Sequence, residues 1–237
     1  ITLNLAQGEN MPEETPNMPR VLVITPHPDD AEGGAGATIA KWADQGSWIG
    51  LVVCTNGDKG TSDPEMKPEH MAEIREAEQL AAAKILGIKH VSFLRFPDQA
   101  LEDDDAFREK LVREIRTHRP EIVITIDPSR PYIIHRDHRL TGRVALDAIY
   151  PYSRDHMAYP QHAADGLRPH KVKEIYLWGT DHPDTYIDVS ETFERKLDAL
   201  FAHRSQMGDP ADQTRRNRSR ARYEAAGKNI GASLAES

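Results

Sequence analysis

The chain predicts an α/β fold with a largely parallel sheet and helices on both faces, and three features carry that prediction. Short runs of β-branched and apolar residues recur along its 237 residues. Segments with helical spacing alternate with those runs, giving a βαβαβαβ pattern between residues 20 and 127. Histidines and acids gather directly after two of the runs, and open α/β sheets bind ligands outside the carboxyl ends of their strands. Crossovers between parallel strands are right-handed, so the expected architecture is Rossmann-like with its site at the carboxyl ends.

Arg20-Val-Leu-Val-Ile-Thr25 is apolar enough for a strand covered on both faces, and Pro26 and Pro28 stop it. Thr38 to Gln45 reads as a short helix and Ser47 to Thr55 as the second strand, followed by the turn-rich loop Asn56-Gly-Asp-Lys-Gly-Thr-Ser-Asp-Pro. Met71 to Leu86 is a strong helix: Ile74, Leu80, Ala81 and Ile85 share a face, and Gly87 supplies the stop. His90 to Phe96 is the third strand, Ala106 to His118 a helix ended by Pro120, and Glu121 to Asp127 the fourth strand. Lys173 to Trp178 and Thr185 to Val189 are further strands of the same sheet, and Glu191 to Ser205 is a helix.

Composition sets the bounds. With 38% hydrophobic and 29% charged residues, the chain can bury one good core, and residues 20–208 read as one domain. Residues 1–19 are a polar, proline-containing flexible leader, with Met11 the expected natural start. A formal charge of −8 argues against nucleic-acid and anionic-membrane partners, and no run reaches the length needed for membrane insertion. Cys54 is the single cysteine, which excludes an internal disulfide framework and fits a cytoplasmic location; its apolar neighbours make it a buried strand residue. Residues 209–237 carry Arg215, Arg216, Arg218, Arg220 and Arg222. They are expected to form a basic helical extension packed over the domain or a homo-oligomer contact.

The first chemical cluster is Thr25-Pro-His-Pro-Asp-Asp-Ala-Glu32, between a strand's end and a helix's start. A helix start attracts phosphate, but two carboxylates occupy the position where a dinucleotide-binding loop needs glycine. Adjacent acids beside a histidine suit a cation, which stabilises them together; a capped turn with solvated acids is the other reading. The second cluster, His135-Arg-Asp-His138, follows the fourth strand and runs into a helix, so that His135 and His138 can face one space. Between them the clusters can supply two imidazoles and one carboxylate, the ligand set of a catalytic zinc with an open position; ferrous iron accepts the same set.

His27-Pro-Asp-Asp30 with His135-Arg-Asp-His138 resembles the paired motifs of the LmbE-like (PIG-L type) zinc-dependent de-N-acetylases. Arg75-x-x-Glu-x-x-x-Ala82, Leu86-Gly87, Phe96-Pro-Asp98 and His203-Arg-Ser-Gln206 extend the resemblance over residues 20 to 208. Ile133 stands where some members carry a tyrosine, with Tyr132 beside it. The resemblance implies one zinc per chain on His27, Asp30 and His138, with Asp29 as general base. It also implies His135 as a protonated oxyanion donor, Asp137 orienting and charging that imidazole, and Arg75 and Asp98 as sugar contacts. Zinc lowers the pKa of a bound water to roughly 7, and a base beside it can take the proton. Asp29 and His135 both remain candidates to protonate the leaving amine.

The implied activity is hydrolysis of the acetamide of an N-acetylated amino sugar or glycoconjugate, releasing acetate and an amine. A metal-dependent ester or phosphoester hydrolase and a non-catalytic sugar-binding module are the alternatives. His182 reads as a loop histidine, and His70, His90, His118, His156, His162 and His170 as surface residues without partners at ligand spacing.

Overall fold

The structure, a computed structural model, describes residues 18–237; the leader and Met11 expectations fall almost wholly on residues outside that range. Five strands form one sheet in the order β3-β2-β1-β4-β5. They are β1 Arg20–Thr25, β2 Trp48–Thr55, β3 His90–Phe96, β4 Ile122–Ile126 and β5 Glu174–Trp178, and every pairing is parallel. The α/β reading is therefore correct, with β1 in the centre. Side-chain alternation along β1 feeds two cores. Val21 and Val23 join Ile39, Ile49, Leu51 and Leu86 on one face, while Leu22 and Ile24 join Phe107, Leu111 and Val144 on the other.

The helices covering these faces are α1 Asp30–Asp44, α2 Pro68–Leu86, α3 Asp105–His118, α4 Arg136–Asp147, α5 Phe193–Leu200, α6 Arg204–Met207 and α7 Gln213–Gly227. Helix α1 begins eight residues before the expected Thr38, with a kink at Ala35. Its glycines have poor helix propensity and hid this first half. Packing explains them: an added Cβ at Gly34 would stand 2.3 Å from the Trp178 ring, and one at Gly36 2.8 Å from the Lys196 chain.

Three further expectations need correction. Thr185 to Val189 does not join the sheet; only β6, Ile187–Asp188, is extended, and it pairs antiparallel with β7, Ala235–Glu236. The expected helix from Glu191 to Ser205 is divided, α5 ending at Leu200 and α6 starting at Arg204. His162 is fully buried rather than on the surface, between Glu109 Oε1 at 2.5 Å and the Arg116 guanidinium at 3.2 Å.

Helix α7 lies over the domain by burying Tyr223 with Val189, Phe193, Leu197 and Leu234. Its arginines face outward to acids of α5: Arg216 pairs with Asp198 and Glu194, and Arg220 with Glu194. Among the described residues no helix is long and apolar enough to cross a membrane.

Candidate metal centre and active site

Strands β2 and β3 lie on one side of β1, and β4 and β5 on the other, so the sheet's winding reverses between β1 and β4. Loops leaving two such strands diverge and open a crevice at their carboxyl ends. Both histidine clusters enter it. β1 delivers His27 and Asp29, with Asp30 opening α1; β4 leads to His135 at the cap of α4 and to Asp137 and His138 in its first turn. The three imidazoles converge, with ring centroids 4.8 Å (His27 to His135), 5.1 Å (His27 to His138) and 4.9 Å (His135 to His138) apart.

Asp30 Oδ2 joins two of them, 2.9 Å from His27 Nδ1 and 3.3 Å from His138 Nε2. Ligand atoms on a tetrahedral ion with bonds of about 2.0–2.1 Å are separated by roughly 3.3 Å, so Asp30 stands at about ligand spacing from each of the two imidazoles; ligand atoms of His27, His135 and His138 also lie within 4.8 Å of one another. The surroundings favour a cation. Burial works against a charged His27, yet the carboxylates of Asp137, Asp30 and Asp98 around it outweigh that and push the imidazole up to about 11. Asp30 is held well below the usual carboxylate range: burial opposes this, and His138 and His27 overcome it. Among the described residues Asp137 Oδ1 and Asp98 Oδ1 are buried without a hydrogen-bond partner; the latter lies 3.2 Å from His27 Nε2 without hydrogen-bond alignment. A donor set of imidazoles and carboxylates with surplus negative charge fits a divalent metal.

Asp29 occupies an unusual backbone position, with φ 97° and ψ −25°. Such a conformation costs about 1–3 kcal/mol and persists where neighbours fix it. Here Asp29 N donates to Gln79 Oε1 at 3.3 Å, and Arg75 donates to Pro28 O at 2.6 Å and Asp29 Oδ2 at 3.2 Å. Burial, then the charge of Asp30, pushes the Asp29 carboxyl up to about 7, against the opposing pull of Arg75. A carboxyl tuned near neutrality suits a general base. His135 moves the other way: burial first, then His27 and His138, lower its proton affinity.

Asp137 makes its contacts with other groups than the expected His135: its fully buried carboxylate meets His27 Nε2 at 3.1 Å and accepts from Gln99 N at 2.7 Å. Arg75 and Asp98 are also turned inward. Arg75 is 4% exposed, and its guanidinium donates to Pro28 O, Gly57 O and Asp29; Asp98 is 5% exposed and stands against His27. Gly57, at φ +62°, makes room for Arg75, since a Cβ there would be 2.5 Å from its Nη1.

Beneath Asp29 lies a further layer, in which the motifs held Glu32 and His203 without assigning them a role and Gln79 was not singled out. Gln79, four residues after Arg75 on α2, donates to Glu32 Oε1 at 2.6 Å, and the buried His203 lies 3.5 Å from Glu32 Oε2. The spacing of Arg75 and Gln79 put both on one face of α2, which was the available signal. His182 stands apart, in the wall of a cavity of about 440 Å³ between β5, residues 180–187 and Glu236.

The doubly wound α/β domain thus gathers three histidines and four aspartates in its switch-point crevice, a donor set that suits a divalent metal. The GlcNAc-PI de-N-acetylase (PIG-L) family pattern matches residues 22–149. The chain is 36% identical over 187 residues to a diacetylchitobiose deacetylase of Thermococcus kodakarensis, covering 79% of this chain and 70% of that one. The solved N,N'-diacetylchitobiose deacetylase of Pyrococcus horikoshii superposes with a TM-score of 0.87 at 32% identity, covering 93% and 82% of the two chains. GalB, the 4-carboxy-2-hydroxymuconate hydratase of Pseudomonas putida, superposes at 0.74 with 25% identity, covering 90% of each chain. The chain belongs to the GlcNAc-PI de-N-acetylase family.

Proposed function

We propose that the protein is a metal-dependent de-N-acetylase that hydrolyses the acetamide of an N-acetylated amino sugar or its conjugate. One observation carries the reading: Asp30 stands between His27 and His138 as a ligand would, with Asp29 beside it at a proton affinity suited to a base. Family membership makes the chain a deacetylase, and the deacetylases it is similar to act on N-acetylated sugars.

His27, Asp30 and His138 would hold the metal, zinc in our assignment. When bound, it supplies Lewis acidity toward the substrate carbonyl and lowers the pKa of water. Asp29 takes the proton from the attacking water, its strained backbone aiming the carboxylate into the crevice. Asp137 fixes the orientation of His27. His135, on the exposed side of the histidine trio, hydrogen bonds to the developing oxyanion through its ring N–H. Asp29 then passes its proton to the leaving amine. Arg75 and Asp98, with their polar atoms on the Asp29 backbone segment and on His27, act by positioning these groups. Sugar hydroxyls then fall to the exposed polar loop between Asp58 and Asp63.

The similarity to a hydratase supports a second reading, addition of water to a carbon–carbon double bond. Acetate release across N-acetylglucosamine, diacetylchitobiose, N-acetylglucosaminyl conjugates and N-acetyl amino acids separates the two. The proposal predicts acetate and amine in equal amounts from the sugars, with the amino acids poor. No acetate from any of them, with full metal occupancy, would reject it.

A further inference from the structure

The opposite end of the sheet carries a second group of metal-ligating side chains, which the reading of the active site does not use. His90 opens β3, and Glu114 and His118 lie one turn apart at the end of α3. One ligand atom from each lies within 4.8 Å of the others. The sequence reading missed this because His90 meets the Glu114–His118 pair only when α3 packs beside the edge strand. Strand β1 alone, at about 3.3 Å per residue, puts roughly 20 Å between this end of the sheet and His27.

The side chains are held in place. Glu114 Oε2 is shared: His118 Nε2 lies 3.1 Å from it, and Ser92 Oγ donates to it at 2.9 Å while standing 2.9 Å from His90 Nε2. The two imidazole rings are 4.6 Å apart. Both stack on Trp48, with centroid distances of 5.2 Å for His118 and 6.5 Å for His90. Arg20 lies 3.9 Å from the Trp48 ring and donates to the His118 carbonyl at 2.8 Å, which fixes the end of α3 from the other side. Hydrogen bonds already join these groups, but through a single carboxylate oxygen and one hydroxyl. An ion in their midst would take two imidazole nitrogens and that oxygen directly, leaving a position for water.

The geometry points to a second divalent transition-metal site at His90, Glu114 and His118, separate from the catalytic crevice. Two imidazoles and a carboxylate suit Zn²⁺, Cu²⁺, Ni²⁺ and Co²⁺, and disfavour the all-oxygen preference of Mg²⁺ and Ca²⁺. The end of a helix favours positive charge. An ion there ties the exposed edge strand β3 to α3, so its occupancy raises thermal stability without entering the reaction. Preformed rings mean that little side-chain entropy is lost on binding.

The test uses the full chain with its catalytic ion in place, titrated with Ni²⁺, with metal content measured after gel filtration. One additional ion per chain is expected, accompanied by quenching of Trp48 fluorescence and a rise in Tm. His90→Ala, an exposed position that leaves the core intact, should abolish the additional ion, as should His118→Ala. Both should keep the first ion and the acetate-releasing rate. Trp48→Phe should keep the additional ion and lose the quenching. Absence of an additional ion in the unsubstituted protein would overturn the site, and so would an additional ion that survives both histidine substitutions.

Discussion

Replacing Arg75 by alanine separates a residue that tunes the base from one that binds sugar. Its guanidinium lies 3.2 Å from Asp29 Oδ2, and the pair is largely buried. At an effective dielectric constant of about 20 and a charge separation of about 4 Å the attraction is worth about 4 kcal/mol, an upper figure for a site open to water on one side. An adjacent arginine typically lowers an aspartate by roughly 1–3 pKa units, and we take roughly 1–2 here. Losing Arg75 therefore raises the Asp29 pKa. Because the base works deprotonated, the acid limb of kcat/KM moves up by the same amount. Below both limbs the rate falls about 10- to 100-fold, and above the new limb it recovers. Arg75→Lys, which restores the charge without the guanidinium's contacts to both Gly57 O and Pro28 O, should bring the limb most of the way back. The assay is a pH–rate profile on one N-acetylated sugar, with metal content and circular dichroism checked at each end. An equal loss at every pH with an unmoved limb would refute the reasoning and return Arg75 to the substrate.

Asp29→Asn should keep the fold and the metal while lowering kcat by about 10²- to 10⁴-fold, the usual contribution of a general base, as single-turnover kinetics with metal analysis would show. Asp30→Asn and His138→Ala should instead lose metal on dialysis against a weak chelator, and retention of full occupancy would remove either from the ligand set. Asp137→Asn should weaken metal affinity about 10- to 100-fold by releasing His27, measured by competition with a chromophoric chelator. Lys196, 2% exposed and donating to Tyr223 Oη at 2.5 Å, is pushed from its ordinary 10.5 down to about 8 by burial, with Glu236 pulling it back up. Between pH 8 and 10 the unfolded chain holds a proton that the folded chain has lost, so stability should rise with pH by up to about 3 kcal/mol. Lys196→Met should flatten that rise in urea melts.

The sequence placed β1 and β3 to the residue: β1 is a buried, continuous apolar run stopped by Pro26, and β3, at the sheet's edge, mixes apolar with polar residues and is stopped by Pro97. The first half of α1 was illegible, since Gly34 and Gly36 answer to Trp178 and Lys196, far away in sequence. The short β6–β7 pair was illegible for a related reason: two residues on each strand leave no pattern, and Glu236 is fixed by accepting from Thr38 N at 2.7 Å and from Tyr223 Oη at 2.6 Å. The motifs gathered His27, Asp29, Asp30, His135 and His138 in one crevice. They did not show which way Asp137 turns, because the direction depends on Gln99 N from the loop after β3. Gln79 lay outside them, and His203, though part of a motif, carried no role there, because its contact with Glu32 forms only when the segment after α5 packs beside α1.

The account stands on Asp29 and the ion beside it working on an acetamide, and one measurement addresses that directly: acetate and free amine released from diacetylchitobiose by metal-analysed protein, alongside Asp29→Asn at equal occupancy. The account predicts equal amounts of the two products from the unsubstituted protein and a rate lower by at least about 10²-fold in the variant. Equal rates from the two proteins, or loss of substrate without acetate, would contradict it.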